Sequence, residues 1–444
     1  MTQLIQASPH DIDSLTGLPN RYAGAGKVIE ACNQIGIQNL SAIAFELQRF
    51  GKINNSIGNK LGDKILKLMT KRLQKVFPHA VVFYRTHGDQ FFMLFDNTNK
   101  ISEEMMKLFD FVQRPFAVQG HVIVLNIRMG IAQAPHKFQQ AEELVHAAEL
   151  ALHKSKTGIE KARAFNSTMV TEAKEHHQIA NDLRVAIVTY TKEFQQGLPT
   201  AEFFIKYQAI MDKANKSIYA YEAKLYWRHP VRGVLEADDF ISVAEEIGAM
   251  QTIGAWLLKI ACKDASAWNK GSKKGDRIGV CIDVGVSQLV QQKLFLKLLN
   301  DALVDTSSDP NIVFLQVQGL QLLPAHVYDV FSKIRGIGCK IVLNYFGTGS
   351  ISISQLTELP FNFLKTDRSV LNNLGARDPA KKDNAFKVMQ AIKGLAETLG
   401  FEIICNNVEN DAELALIEEL GISRVQGDHC SEAVELSTLL KIAS

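Results

Sequence analysis

Residues 85–91 of the 444-residue chain read Arg-Thr-His-Gly-Asp-Gln-Phe, set between the apolar runs VVFY (81–84) and FFMLF (91–95). Apolar run, glycine-containing turn, apolar run is the pattern of a β-hairpin. Gly88 and Asp89 supply what such a turn needs, so Arg85, His87 and Gln90 are surplus to it. Charged and hydrogen-bonding groups in surplus at a hairpin tip point to chemistry done there. A second set lies in the other half of the chain. Glu222, Asp283, Gln316, Asn344, Asp367, Glu409 and Gln426 each fall at or near the end of a strand-like run. Helix caps account for two or three of them; seven at recurrent strand ends predict a rim of polar side chains.

The elements that carry these residues differ between the two halves. From Asp11 to Asn166 helices alternate with strands that pair antiparallel. A strand is expected at 40–47, helices at 62–77, 102–114 and 141–156, and a strand over 121–133. Helices packed on an antiparallel-rich sheet make an α+β domain. A charged stretch, 168–190, reads as a connector helix, on whose polar face His176 and His177 are solvated. Beyond it, strands recur at 203–211, 217–227, 278–284, 312–318, 339–346, 361–367, 401–407 and 423–428, most of them separated by helical patterns. That rhythm predicts a (β/α)8-type barrel with its site at the carboxyl ends of the strands. The domains are therefore drawn at 11–166, 167–180 for the helical connector, and 181–444.

Composition is that of a globular chain, 46% hydrophobic and 22% charged. A net charge of +2 argues against a broad nucleic-acid footprint. No apolar run approaches a membrane span, no signal-peptide pattern opens the chain, and the six cysteines form no CxxC pair. Reduced thiols in a cytoplasmic protein are the expectation.

Several motifs, in order, carry a resemblance that covers nearly the whole chain. DSLTGLPNR (13–21) and RTHGDQF (85–91) resemble the opening signature and the RxGGDEF turn of GGDEF domains, which make cyclic di-GMP from GTP. YEAKLYWRHP (221–230), FGTGSISISQLTELPFNFLKTDRS (346–369) and VQGDHCS (425–431) resemble the motifs of EAL domains, barrels that hydrolyse cyclic di-GMP with two metal ions.

The resemblance implies that Glu46 and Asp89 stand at the Mg2+-ligand positions of the cyclase, Asn54 and Asp63 at those that read guanine, and Lys156 at the phosphate lysine. Gly88 keeps its place in the turn. His87 replaces a glycine that admits the nucleotide, Gln90 an acid, and Gly51 a lysine; Pro78 and Val81 stand where the RxxD inhibitory site belongs. In the barrel, Glu222, Lys365, Asp367, Glu409 and Gln426 agree with the EAL pattern, and Asp283 replaces a neutral Asn. Gln316, Asn344, Tyr345 and Asn406 replace acids, so a pair of hard divalent cations loses its anionic oxygens. Lys224 and Tyr226 replace the motif Leu and Arg, and Glu432-Ala433 an Arg-Pro pair. Gln208, Phe346 and Gly347 remain as contacts to cyclic di-GMP.

The expectation is a degenerate GGDEF–EAL tandem protein: an inactive regulator or scaffold of bacterial cyclic di-GMP signalling that works through an unidentified protein partner. A non-hydrolysing receptor for cyclic di-GMP or GTP is the alternative, and a residual phosphodiesterase the third reading. No cofactor is expected, Mg2+ or Mn2+ entering only with residual ligand binding. The resemblance also implies self-association through the barrel.

Overall fold

The computed structural model of the protein describes residues 11–97, 100–133, 136, 138–157, 160–318, 327–347, 352–372, 374 and 378–442. The chain divides into two compact units, Met1–Glu175 and His176–Ser444.

Among the described residues of the first unit, seven strands arise in chain order: β1 (Leu40–Leu47), β2 (Val82–His87), β3 (Gln90–Asp96), β4 (Phe116–Val118), β5 (His121–Ile123), β6 (Ile127–Ala132) and β7 (Ala162–Ala164). Five of them form one sheet in the order β2-β3-β1-β6-β7, antiparallel except for β6 with β7. Because side chains alternate along a strand, each face receives its own apolar set. Phe45, Leu47, Phe91, Met93 and Phe95 pack under Ile65 and Met69 of the helix Asn59–Val76 and Leu108 of Ile101–Gln113. Ala42, Ala44, Tyr84, Phe92 and Leu94 face Val28 of Arg21–Ile35 and Leu144 of Ala141–Thr157. Gly130 allows the last contact: a Cβ there would come within 2.0 Å of the Leu152 backbone. The strand expected over 121–133 is a correction. It is two strands, β5 pairing with β4 in a separate hairpin and β6 entering the main sheet. Leu125 between them turns into the core, so one uninterrupted pleat is not maintained.

The helix Thr168–Thr189 occupies the stretch read as a connector. From His176 onward it belongs to the second unit, where Ile179, Ala180, Leu183 and Ala186 enter the barrel's apolar layer. His176 meets Glu246 at 3.1 Å. Among the described residues nine strands follow: β8 (Phe203–Asp212), β9 (Ser217–His229), β10 (Gly233–Glu236), β11 (Gly279–Val284), β12 (Val313–Val317), β13 (Lys340–Phe346), β14 (Phe363–Thr366), β15 (Glu402–Cys405) and β16 (Arg424–Val425). The order β9-β11-β12-β13-β14-β15-β16-β8 closes through a β8–β9 pairing into an eight-stranded barrel, with β10 hairpinned on β9. The barrel departs from a uniform (β/α)8 pattern at β8, which runs antiparallel to both neighbours, β9 and β16. Inside, Ile210, Ala220, Cys281, Phe314, Val342, Phe363 and Ile404 fill one end. The polar set fills the other.

Candidate functional site

The polar residues of β9 and β11 to β16 reach the same end because these seven strands run parallel, and from β11 onward each polar residue lies at or near the end of its strand. Glu222 (β9), Gln316 (β12), Asn344 (β13), Lys365 (β14), Asn406 and Gln426 (just past β15 and β16) and Gln208 (β8) are all buried. Asp283, at the end of β11, is half-buried.

Glu222 is the centre of the group, and both of its oxygens are taken. Its Oε1 accepts from Lys365 Nζ at 2.5 Å and from Gln316 Nε2 at 2.8 Å, and its Oε2 accepts from Gln426 Nε2 at 2.6 Å. Gln316 Nε2 also donates to Asp283 Oδ1 at 2.7 Å, so one amide nitrogen joins the two carboxylates. The amide can lie only this way round: its Oε1 accepts from Lys365 Nζ at 3.1 Å and from the Cys281 thiol at 3.3 Å. Gln426 Nε2 reaches Gln208 Oε1 at 3.1 Å, and Gln208 Nε2 donates to Asp428 and to the Ser431 carbonyl. The Gln426 Oε1 is buried without a protein partner.

Charge follows geometry. Burial alone pushes the Glu222 carboxyl up, but Lys365, Lys224 and the amide donors outweigh it and hold the group below the usual carboxylate range. Lys365 is held protonated in the same way: burial lowers it, and Glu222, Cys281 and Asp283 together raise it by more. Asp283 goes the other way: burial, then the Glu222 charge, push it up to about 6. Tyr345 stands at a bulge in β13 with φ +54, left-handed backbone that an aromatic residue rarely adopts. Burial first, then the carboxylates of Asp283, Asp238, Glu222 and Asp367, push its phenol up to about 12. Asp238, exposed in the first turn of the helix Ala237–Glu246, adds its charge to that of Asp283 at this end of the barrel, which the strand-end pattern did not reveal. Only its acidic capping run, Glu236 to Asp239, marked it.

Asp367 and Glu409 take their hydrogen bonds outside the Glu222 cluster, although the Asp367 charge still acts on Tyr345. Asp367 Oδ1 accepts from Ser369 N and caps the helix Arg368–Leu371. Glu409 is 63% exposed and pairs with Arg368 at 2.8 Å, which also clasps Glu413. Phe346 accepts from Asp367 N through its carbonyl. Gly347 has φ +111, and a Cβ there would meet Val370 at 2.4 Å, so this backbone demands glycine.

In the first unit the hairpin tip is tied from behind. Arg85 Nε donates to the Gly88 carbonyl at 2.8 Å, and its Nη1 bridges both oxygens of Asp13 at 2.9 and 3.1 Å. Asp13 also accepts from Thr16. Arg85 thus clamps the turn to the DSLTGLPN loop. Glu46 sits opposite Gln90 in the β1–β3 register and accepts from its Nε2 at 2.8 Å. Lys156 Nζ meets the same Glu46 oxygen at 2.6 Å. Burial, then Glu46, raise the Asp89 carboxyl. Asn54 lies against Gly62 with its Oδ1 buried and unpartnered, Asp63 is exposed, and His87 is exposed beside Gly88, whose φ is +50. The structure brings Glu46, Asp89, Gln90 and Lys156 together; Asp63 is exposed on the helix Asn59–Val76.

An α+β unit bearing this turn, followed by a barrel with one reversed strand and this rim, defines a nucleotide-cyclase-like domain joined to an EAL-type barrel. The diguanylate cyclase, GGDEF domain matches residues 10–161 and the EAL domain matches residues 191–433, so the chain belongs to the family of proteins that carry the two in tandem. The cyclic di-GMP phosphodiesterase NbdA of Pseudomonas aeruginosa is 29% identical over 96% of this chain and 53% of its own length. The bifunctional diguanylate cyclase/cyclic di-GMP phosphodiesterase MucR of the same species is 28% identical over 96% of this chain and 60% of its own. This chain thus spans little more than half the length of the curated relatives it matches. Among solved structures, the MucR phosphodiesterase in complex with c-di-GMP superposes with a TM-score of 0.50 at 25% identity, covering 57% of this chain and 99% of that one. The S helix-GGDEF-EAL portion of LapD from Vibrio cholerae, bound to c-di-GMP, gives 0.55 at 14% identity over 94% of this chain and 95% of that one, a likeness of fold.

Proposed function

We propose that this protein is a catalytically inactive GGDEF–EAL member that acts in cyclic di-GMP signalling as a regulator, through protein contacts. The observation that carries the reading is the Gln316 amide seated between Glu222 and Asp283, while Lys365 shares Glu222 Oε1 with it and Gln426 holds Oε2. A divalent pair in an EAL site needs anionic oxygens with free lone pairs. Here the donors that would have to leave are two amides and a buried ammonium, and Asn344, Tyr345 and Asn406 offer no replacement charge. The residues present do not fit two metal ions. The cyclase half follows the same logic: Gln90 and Lys156 already occupy Glu46, and His87 stands where a glycine would admit the nucleotide.

A second reading, a receptor that holds the dinucleotide without turnover, is favoured by one feature. Lys206 and Lys224 face each other across β8 and β9 above Glu222, with Lys206 4.9 Å from the Tyr226 ring, and neither forms an ion pair among the described residues. Like charges directly opposite are unfavourable unless an anion joins them. The deciding experiment incubates the protein with cyclic di-GMP and Mg2+ or Mn2+, with chromatography of the products, beside calorimetry with the same ligand. No linear dinucleotide and no binding heat support the regulator. Binding without turnover selects the receptor, and conversion to the linear dinucleotide refutes both.

A further inference from the structure

The chain carries a net charge of only +2, yet residues 50–76 hold seven cations, Lys52, Lys60, Lys64, Lys67, Lys71, Arg72 and Lys75, against one carboxylate, Asp63. These residues form the helices Phe50–Ile57 and Asn59–Val76. In the longer helix Leu61, Ile65, Leu66, Met69 and Leu73 are buried, which fixes its rotation. Lys60, Lys64, Lys67, Lys71 and Lys75 all fall on the opposite side and are exposed. At about 100° per residue they lie within an arc of about 80°, a single row about 22 Å long. Leu68, 43% exposed, lies beside the middle of the row.

None of the five lysines forms an ion pair among the described residues, whereas every acid of the adjacent helix Ile101–Gln113 is matched: Glu103 with Lys100, Glu104 with Lys107 and His79, Asp110 with Arg114. Lysines at i,i+4 (60 and 64, 67 and 71, 71 and 75) repel, so the helix is weakened by a row that its own fold does not use. We propose that this row is a docking surface for an anionic lipid bilayer. Lysine alone, without arginine forks, attracts a diffuse negative plane rather than reading fixed phosphates. The row is straight and convex, and it carries no exposed aromatic ring on which bases could stack. Its apolar side is already committed to the core, so the helix lies on the surface electrostatically without inserting.

The test is sedimentation of the full 444-residue protein with vesicles of phosphatidylcholine alone or with phosphatidylglycerol at a 3:1 ratio, in 50 and 500 mM salt. The expected result is binding to the anionic vesicles only, lost at high salt. K64E/K67E/K71E should lower the bound fraction at least tenfold. K297E/K381E/K382E, an equal charge change on exposed barrel lysines, should lower it less than twofold. Circular dichroism checks that both variants remain folded. Equal binding to neutral vesicles, or equal loss in the two triple variants, overturns the proposal. So does retention of a duplex DNA or RNA probe by protein that ignores anionic vesicles, which would assign the row to nucleic acid.

Discussion

Replacing Asp283 with asparagine should make the protein more stable at neutral pH. The carboxyl is pushed from 3.8 to about 6 by burial and then by Glu222, so it folds more favourably neutral than charged. For a group raised in the folded state, its stabilising contribution is complete below about pH 4 and disappears as pH rises through about 6. A shift of about two units corresponds to about 3 kcal/mol of penalty on the ionised form above pH 6. Solvent at the rim of the barrel screens part of this, which leaves about 1–3 kcal/mol. The introduced amide keeps the shape of the carboxyl, and its oxygen can still accept from Gln316 Nε2. Its own amide hydrogens would face Glu222 rather than repel it. For a unit of this size 1 kcal/mol moves the melting temperature about 2 °C, so the gain should be about 2–6 °C at pH 7.5 and close to zero at pH 4. Calorimetric melts of both proteins across pH 4–8, with EDTA and with Mg2+, measure it. A variant that melts lower at pH 7.5, or a gain that does not fade toward pH 4, refutes the electrostatic reasoning. Stabilisation of the unaltered protein by Mg2+ that D283N abolishes would show Asp283 to be a working metal ligand.

Three other outcomes follow from the same contacts. Gln316→Glu sets a third carboxylate against Glu222 and Asp283 with only Lys365 and the more distant Lys224 in balance, and should cost about 2–4 kcal/mol; thermal melts should show millimolar Mn2+ restoring part of this in the variant and nothing in the parent. Lys365→Met leaves Glu222 buried without its cation and should cost about 3–5 kcal/mol, whereas Lys365→Met combined with Glu222→Gln should recover most of it, as denaturant titrations of both would reveal. Arg85→Ala frees the hairpin tip from Asp13 and the Gly88 carbonyl, at about 2 kcal/mol by denaturant titration, with faster hydrogen exchange of the amides at 87–89.

Much of the fold could be read from periodicity. LSAIAFEL is β1 to the residue, the hairpin falls at β2 and β3, and each polar-ended run in the second half is a barrel strand. The exceptions have physical reasons. HVIVLNIRMGIAQ is continuously β-prone, and nothing local shows that Leu125 will turn inward and break it. The reversal of β8 is a property of closure, invisible in a strand whose composition suits either direction. At the site, sequence motifs identified which acids are missing, but not what replaces them. That Gln316 would turn its nitrogen to two carboxylates depends on Lys365 and Cys281 holding its oxygen. That Arg368 would take Glu409 outward depends on Glu413, four residues further along, in the helix Asp411–Glu419.

The reversed first strand also sets a timetable. β8 completes the barrel only when Met211 meets Val425 and Asp212 meets Arg424, partners more than two hundred residues later in the chain. A ribosome adds about 5–20 residues per second, so the β8–β9 hairpin waits on the order of 10–40 s with one edge unpaired. Gln426, which supplies the last donor to Glu222 and the bond to Gln208, arrives with that final strand. Until then Glu222 is short of one donor and Gln208 of its partners at the closing strand, so the polar cluster is finished by the same event that shuts the barrel. Nascent chains stalled before residue 424 should therefore hold an open sheet, vulnerable to edge-on pairing with their neighbours on the polysome.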